Sequence, residues 1–329
     1  MLDSSCNRDK VFWEGVGGSM NRGKTSLLVA SCGLLLASLS AHATTSSSTT
    51  PVRHRHHHAA HMSQASLMDP DGGPALRSSA ALVFDQTNSQ VLYSRHADVA
   101  MPIASISKLV TALTVADANQ PMDEVIEITD EDRAVGKGAF SRLAVGARLT
   151  RADLFHLALM ASENRAAHAL ARNYPGGMAA FMPAMNAKAK ELGMTSAHFV
   201  EPTGLSSDNV ASPDDLSKLV MAAARNPVIR EYSTDPGYDV RIGRRMVGFH
   251  NTDALVNNSG WDIIVQKTGY IEEAGRCLVM QTVIQGRTVV IVLLNSFGKQ
   301  TRVADAARVR KWMEAKLLQA ASAAVAGKT

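Results

Sequence analysis

The chain has 329 residues, of which 46% are hydrophobic and 19% charged, with a formal net charge of +4. This is enough apolar material for one large domain or two ordinary ones, and too much for a disordered chain. Lys and Arg alternate with Asp and Glu instead of forming basic blocks, which argues against nucleic acid as a partner.

Residues 1–19 carry no recognisable pattern and read as an upstream extension, with translation starting at Met20. From there Met20-Asn21-Arg22-Gly23-Lys24 supplies a short basic region, Ser26 to Leu39 an apolar run, and Ala41-His42-Ala43 a small-residue end. That is the layout of a cleavable signal peptide over 20–43, with cleavage after Ala43. The run is shorter than the roughly 18–20 apolar residues of a membrane span, so no stable membrane anchor is expected. Val29-Ala30-Ser31-Cys32 resembles a lipobox, but the residues after Cys32 stay apolar, which suits a signal core better. Gly18 to Thr25 matches the P-loop pattern, yet it overlaps the signal peptide and lacks the strand–loop–helix context that nucleotide binding requires. Residues 44–67 are rich in Ser, Thr and His with almost no large apolar side chains, and read as a disordered leader. After cleavage Cys277 is the one cysteine left, so no intramolecular disulfide forms in the mature chain.

A folded domain is expected over 68–320, followed by a flexible tail at 321–329. Ala81-Leu82-Val83-Phe84 and Val91-Leu92-Tyr93 read as two strands joined through Asp85-Gln86-Thr87-Asn88. Ser105 to Ala116 has Leu109, Ala112, Leu113 and Ala116 at the spacing of a buried helix face. Arg151 to Arg225 is rich in Ala, Leu and Met, broken at Pro175-Gly176-Gly177 and Pro202-Thr203-Gly204, and reads as an inserted helical region. Strands return at Ile263-Ile264-Val265, Cys277 to Met280 and Val289 to Leu294, the last two joined by a turn at Gln285-Gly286-Arg287. A final helix over 303–320 aligns Val309, Trp312, Met313, Leu317 and Ala320, a stripe suited to packing on the sheet.

The chemistry concentrates in three short motifs. Ser105-Ile106-Ser107-Lys108 opens a predicted helix, and the i,i+3 spacing puts Ser105 and Lys108 on one face. A serine needs a base to become a nucleophile, and a lysine whose charge is disfavoured can be that base. The helix N-terminus also offers the Ser105 N–H to a developing oxyanion. The same tetrad recurs at Ser296-Phe297-Gly298-Lys299, so it carries little weight alone. Order distinguishes the two: Ser162-Glu163-Asn164 and then Lys267-Thr268-Gly269 follow Ser105, whereas Ser296 lies after both. Taken singly, Ser162 and Asn164 could cap a helix, Lys267 could be a sheet-edge charge and Gly269 a strand bulge. Glu163 reads as solvent-facing with no assigned role. His96, His156, His168, His198 and His250 lack metal-ligand spacing, so neither a metal nor a cofactor is expected.

S-x-x-K, S-x-N and K-T-G in that order resemble the penicillin-binding proteins and serine β-lactamases. Longer stretches, Ala158 to Ala166, Glu201-Pro202-Thr203-Gly204-Leu205-Ser206 and Gln266 to Ile271, are similar to the D-alanyl-D-alanine endopeptidase group of the penicillin-binding protein 7 type. The resemblance spans roughly 80–312 and implies an α+β fold of the β-lactamase/transpeptidase kind. Its antiparallel five-stranded sheet is flanked by helices, with an inserted helical subdomain and the site between the two. It further implies that Ser105 forms an acyl-enzyme with Lys108 as its base, and that Ser162 relays a proton to the leaving amine under the influence of Lys267. Asn164 would hold the substrate amide, Thr268 and Lys267 would meet a carboxylate, and the N–H groups of Ser105 and Tyr270 would form the oxyanion hole. Implied too are a periplasmic location, peptidoglycan cross-links as substrate and β-lactams as covalent inhibitors. Carboxypeptidase trimming of pentapeptides is the alternative. A class A β-lactamase is a weaker one, because Glu201 does not sit in that class's deacylating loop.

Overall fold

The structure, a computed structural model, describes residues 68–69, 71–133 and 140–326. The upstream extension, signal peptide, P-loop-like run, leader and end of the tail therefore lie outside the described residues. The described chain falls in one compact unit.

Its centre is a five-stranded antiparallel sheet of order β2-β1-β11-β10-β9, made by β1 (Ser78–Asp85), β2 (Gln90–Arg95), β9 (Asp262–Ile271), β10 (Gly275–Ile284) and β11 (Arg287–Ser296). Strand β11 shows why the run Val289 to Leu294 is apolar without interruption. Alternate side chains point to opposite faces, and both faces are covered. Val290, Val292 and Leu294 join the core beneath the helical region, while Val289, Ile291 and Leu293 join a second core on the other face. The second core is closed by α7 (Thr301–Ala326), through Ala306, Val309, Trp312 and Met313. The expected stripe on this helix is therefore real as far as Met313, and the helix runs past residue 320. Buried Asp305 pins α7 to the start of β1 by accepting from Ser78 N (2.7 Å) and Ser78 Oγ (2.6 Å).

The chain leaves this sheet after β2 and returns at β9. Between them lie β3 (Met101–Pro102), α1 (Ser107–Asp117), β4 (Val125–Glu127), β5 (Arg148–Thr150), α2 (Arg151–Met160), α3 (Asn164–Arg172), α4 (Gly177–Glu191), β6 (Val210–Ala211), α5 (Pro213–Ala223), α6 (Pro227–Thr234), β7 (Gly237–Ile242) and β8 (Arg245–His250). Local sequence sets the helix starts. Thr150 with Asp153, and Ser212 with Asp215, form capping boxes before α2 and α5, and Asn226 accepts from Val228 N and Ile229 N before α6. The α+β architecture with an inserted helical region is as expected. Two expectations need correction. The strand read as Ile263 to Val265 continues to Ile271, so Lys267, Thr268 and Gly269 lie inside it and not at its end. The β7–β8 hairpin was missed, because Gly237 to His250 is mostly polar and half-exposed, without a clean alternating pattern.

Candidate active site

Ser105 sits in a tight turn over Ala104–Ile106 that runs directly into α1, so the three-residue spacing brings Lys108 under it. Lys108 Nζ lies 2.8 Å from Ser105 Oγ, 2.7 Å from Asn164 Oδ1 and 2.6 Å from the Thr203 carbonyl. The first and second motifs thus meet at one amine nitrogen. Ala104, just before the serine, has φ 50, and Ser162, between α2 and α3, has φ 58. Both are left-handed backbones that cost about 1–3 kcal/mol each in a non-glycine residue, and both lie at the site.

Two glycines show how tightly the serine turn is held. A β-carbon at Gly269 in β9 would lie 2.9 Å from the Ile103 carbonyl oxygen and 3.1 Å from Ser105 N. One at Gly204, whose φ is +80, would lie 1.9 Å from the Ala104 carbonyl oxygen. Only a residue without a side chain lets β9 and the 201–206 loop close on Ser105 from two sides. The expectation of Gly269 as a plain bulge is replaced by one of close backbone approach.

A cleft of about 320 Å³ opens above this turn, lined among others by Ser105, Ser162, Asn164, Thr268, Gly269 and Tyr270. Six of the eight residues singled out from sequence therefore face one cavity. Lys108 and Lys267 lie buried beneath it. Lys267 Nζ donates to the Thr268 carbonyl at 2.9 Å. Thr268 Oγ1 is 2.6 Å from Thr252 Oγ1, and the Thr252 N–H donates to the Met160 carbonyl, tying β9 to the end of α2. Tyr270 is half-exposed, with the Arg276 guanidinium 4.5 Å above its ring.

The electrostatics favour neutral amines. Burial pulls Lys108 down to about 7, against the opposing pull of the Glu201 and Glu163 carboxylates. Burial, then the neighbouring Lys108 and Arg302 cations, push Lys267 well below its ordinary value, with Asp253 acting the other way. A charge on Lys108 thus adds to burial in disfavouring the Lys267 cation.

Sequence reasoning missed three contributors. Glu163 is buried, not solvent-facing: it accepts from Ser141 Oγ (2.6 Å) and Arg142 N (2.8 Å), holding the 140–143 segment at the cleft. Arg302, at the start of α7, lines the cleft and donates to the Gly269 carbonyl at 2.9 Å. No local pattern marks it, since α7 reaches the site only by folding back across the sheet. Thr203 contributes a backbone carbonyl, invisible in any side-chain motif. Glu201 accepts from the N–H groups of Thr203, Gly204 and Ser206, so its carboxylate is committed to shaping its own loop. Ser296, the decoy, is buried at the C-terminal end of β11, its Oγ 2.6 Å from Ser78 Oγ. No group of metal-ligating side chains occurs among the described residues.

A family model described as D-alanyl-D-alanine carboxypeptidase, peptidase S11, matches residues 66–298. The chain is 49% identical over 241 residues to a D-alanyl-D-alanine endopeptidase of Pseudomonas aeruginosa, covering 73% of this chain and 78% of that one. It is 45% identical over 250 residues to the D-alanyl-D-alanine endopeptidase of Escherichia coli, with the same two coverages. Among solved structures it is similar to the Streptomyces K15 DD-transpeptidase, with a TM-score of 0.69 and 27% identity, covering 74% of this chain and 99% of that one. The expected transpeptidase-like fold is therefore borne out.

Proposed function

The chain belongs to the S11 family of serine D-alanyl-D-alanine peptidases, and from that premise we propose that it is a periplasmic DD-endopeptidase. It hydrolyses D-alanyl cross-links of peptidoglycan through an acyl-enzyme on Ser105. The observation that carries the reading is the buried Lys108 amine, held near pKa 7 and 2.8 Å from Ser105 Oγ. A base with a pKa near the working pH both accepts and returns a proton efficiently.

In this mechanism neutral Lys108 takes the Ser105 proton as Oγ attacks the carbonyl of the D-alanyl residue. The tetrahedral oxyanion is met by the N–H groups of Ser105 and Tyr270, a pair of donors of the kind worth about 10²–10³ in rate each. Collapse expels the amine, which takes a proton through Ser162, while Asn164 holds the amide of the acyl strand. Lys267 tunes this transfer from below. The cleft end formed by Thr268 and Arg302 accepts a carboxylate of the leaving group. Water then attacks the ester, releasing the acid and returning the proton to Ser105. The reaction needs no cofactor.

The machinery would serve pentapeptide trimming equally, and carboxypeptidase action remains the second reading because the Thr268–Arg302 end suits a terminal carboxylate. The committed Glu201 carboxylate argues against a β-lactamase. β-Lactams are expected to acylate Ser105. The signal-like run over 20–43 supports export, and no helix among the described residues is long and apolar enough to cross a membrane. The peptidase unit is taken as 68–320. Ser105→Ala is expected to abolish both penicillin acylation and cleavage of cross-linked muropeptide dimers, measured by mass spectrometry, while leaving the melting temperature nearly unchanged. Residual cleavage by this variant would refute the serine mechanism. Loss of terminal D-alanine from pentapeptides, with dimers left uncut by the wild type, would favour the carboxypeptidase reading.

A further inference from the structure

A second cavity, of about 220 Å³, adjoins the cleft and is lined by Phe140, Arg142, Ser162, Phe249 and His250. Phe140 and Ser162 line both cavities, so the two adjoin at the serine expected to protonate the leaving amine. The Arg142 guanidinium lies 4.4 Å over the ring of buried Phe249, and its backbone N–H is fixed to Glu163 at 2.8 Å. Its cation is therefore held in place by a stacked ring and an anchored root, and little ordering remains for a ligand to impose. Glu163, the carboxylate in this lining, is already engaged by Ser141 Oγ and Arg142 N. Glu163 keeps its charge but has its oxygens engaged, so Arg142 is the permanent cation in this lining. Phe140, 79% exposed, forms an apolar wall between the two cavities.

A leaving group of one D-alanine ends at its carboxylate and fits within the first cleft. The leaving side of a cross-link is a peptide strand that continues beyond the amine. The amine departs at Ser162, and the space beyond Ser162 is this second cavity. We propose that it is the subsite for the leaving peptide strand, where Arg142, backed by the Phe249 ring, pairs with a further carboxylate on that strand and exposed Phe140 packs along its apolar portion. The subsite rests on the endopeptidase reading above and would make the enzyme prefer cross-linked over monomeric peptides.

The test uses the full chain and its Arg142→Gln variant, which keeps the backbone bond to Glu163. Three probes are compared: a cross-linked dimer with free carboxylates on its leaving strand, the same dimer with those carboxylates amidated, and a fluorescent penicillin, which has no leaving strand. The variant is expected to lose about tenfold in kcat/KM on the free-acid dimer, mainly through KM, as befits loss of one charged hydrogen bond. On the amidated dimer the two enzymes should match, penicillin acylation should change by less than about twofold, and Arg142→Lys should recover part of the loss. Equal rates of the two enzymes on the free-acid dimer would overturn the subsite, as would a parallel fall in penicillin acylation. Wild-type enzyme that takes penicillin but cuts neither dimer would overturn the endopeptidase reading and the subsite with it.

Discussion

At the residue scale, the decisive feature is that burial does chemistry on Lys108. An ordinary lysine holds its proton far above neutral pH, and removing it from water disfavours the charged form until it titrates near 7. The sign of the pH dependence follows. The base must be neutral, so penicillin acylation should fall as pH drops through about 7, which stopped-flow acylation rates would show directly. Glu163 and Glu201 both favour the Lys108 cation. Glu163→Gln removes one of those charges, so its acid limb should move to lower pH. A limb that stays in place or moves up would mean that Glu163 acts only through its hold on Ser141 and Arg142. Two of the three atoms around the Lys108 amine, Ser105 Oγ and Asn164 Oδ1, belong to motifs visible in the sequence. The third, the Thr203 carbonyl, is backbone, and side-chain spelling does not report it.

At the scale of elements, the site exists because a strand, a loop and a helix start converge within backbone contact. Gly269 and Gly204 are the points of convergence, and their substitutions should separate activity from stability. Gly269→Ala adds a methyl 2.9–3.1 Å from Ile103 O, Ala104 Cβ and Ser105 N, which demands a shift of a few tenths of an ångström at the nucleophile. Penicillin acylation is expected to fall about ten- to hundredfold with modest loss of stability, because near-attack geometry is lost before packing is. Gly204→Ala combines a left-handed backbone with a contact of 1.9 Å. It should cost at least about 2 kcal/mol in urea denaturation. Equal effects of the two on both measurements would argue against this division. The K-T-G letters were legible in sequence, but the need for glycine was not, since it comes from the approach of Ile103 to Ser105, far away along the chain.

At the scale of the whole molecule, one sheet serves two cores, and only one of them underlies the cleft. Trp312 is buried in the other, edge-on to Tyr93 with ring centroids 6.3 Å apart, and its indole N–H donates to the Gly72 carbonyl at 2.8 Å. Trp312→Ala should cost about 3–5 kcal/mol of stability by thermal or chemical melting. The acylation rate per folded molecule should nevertheless stay close to wild type. A matching fall in that rate would mean that the α7 face of the sheet is coupled to the site through Arg302, at the start of the same helix.

The sequence by itself determined which groups are candidates for the chemistry and most of the segments that are regular. Motif order and apolar periodicity are local or ordered properties, and Ser105, Lys108, Ser162, Asn164 and the K-T-G strand all stand in them. Only the tertiary structure decided that Glu163 faces inward, that Arg302 returns to the cleft, that Lys108 is pulled down to about 7 and that a second cavity opens beside Ser162. Each of these depends on what packs against a residue from elsewhere in the chain. Burial, charge proximity and the shape of a void arise only when distant segments share the same space.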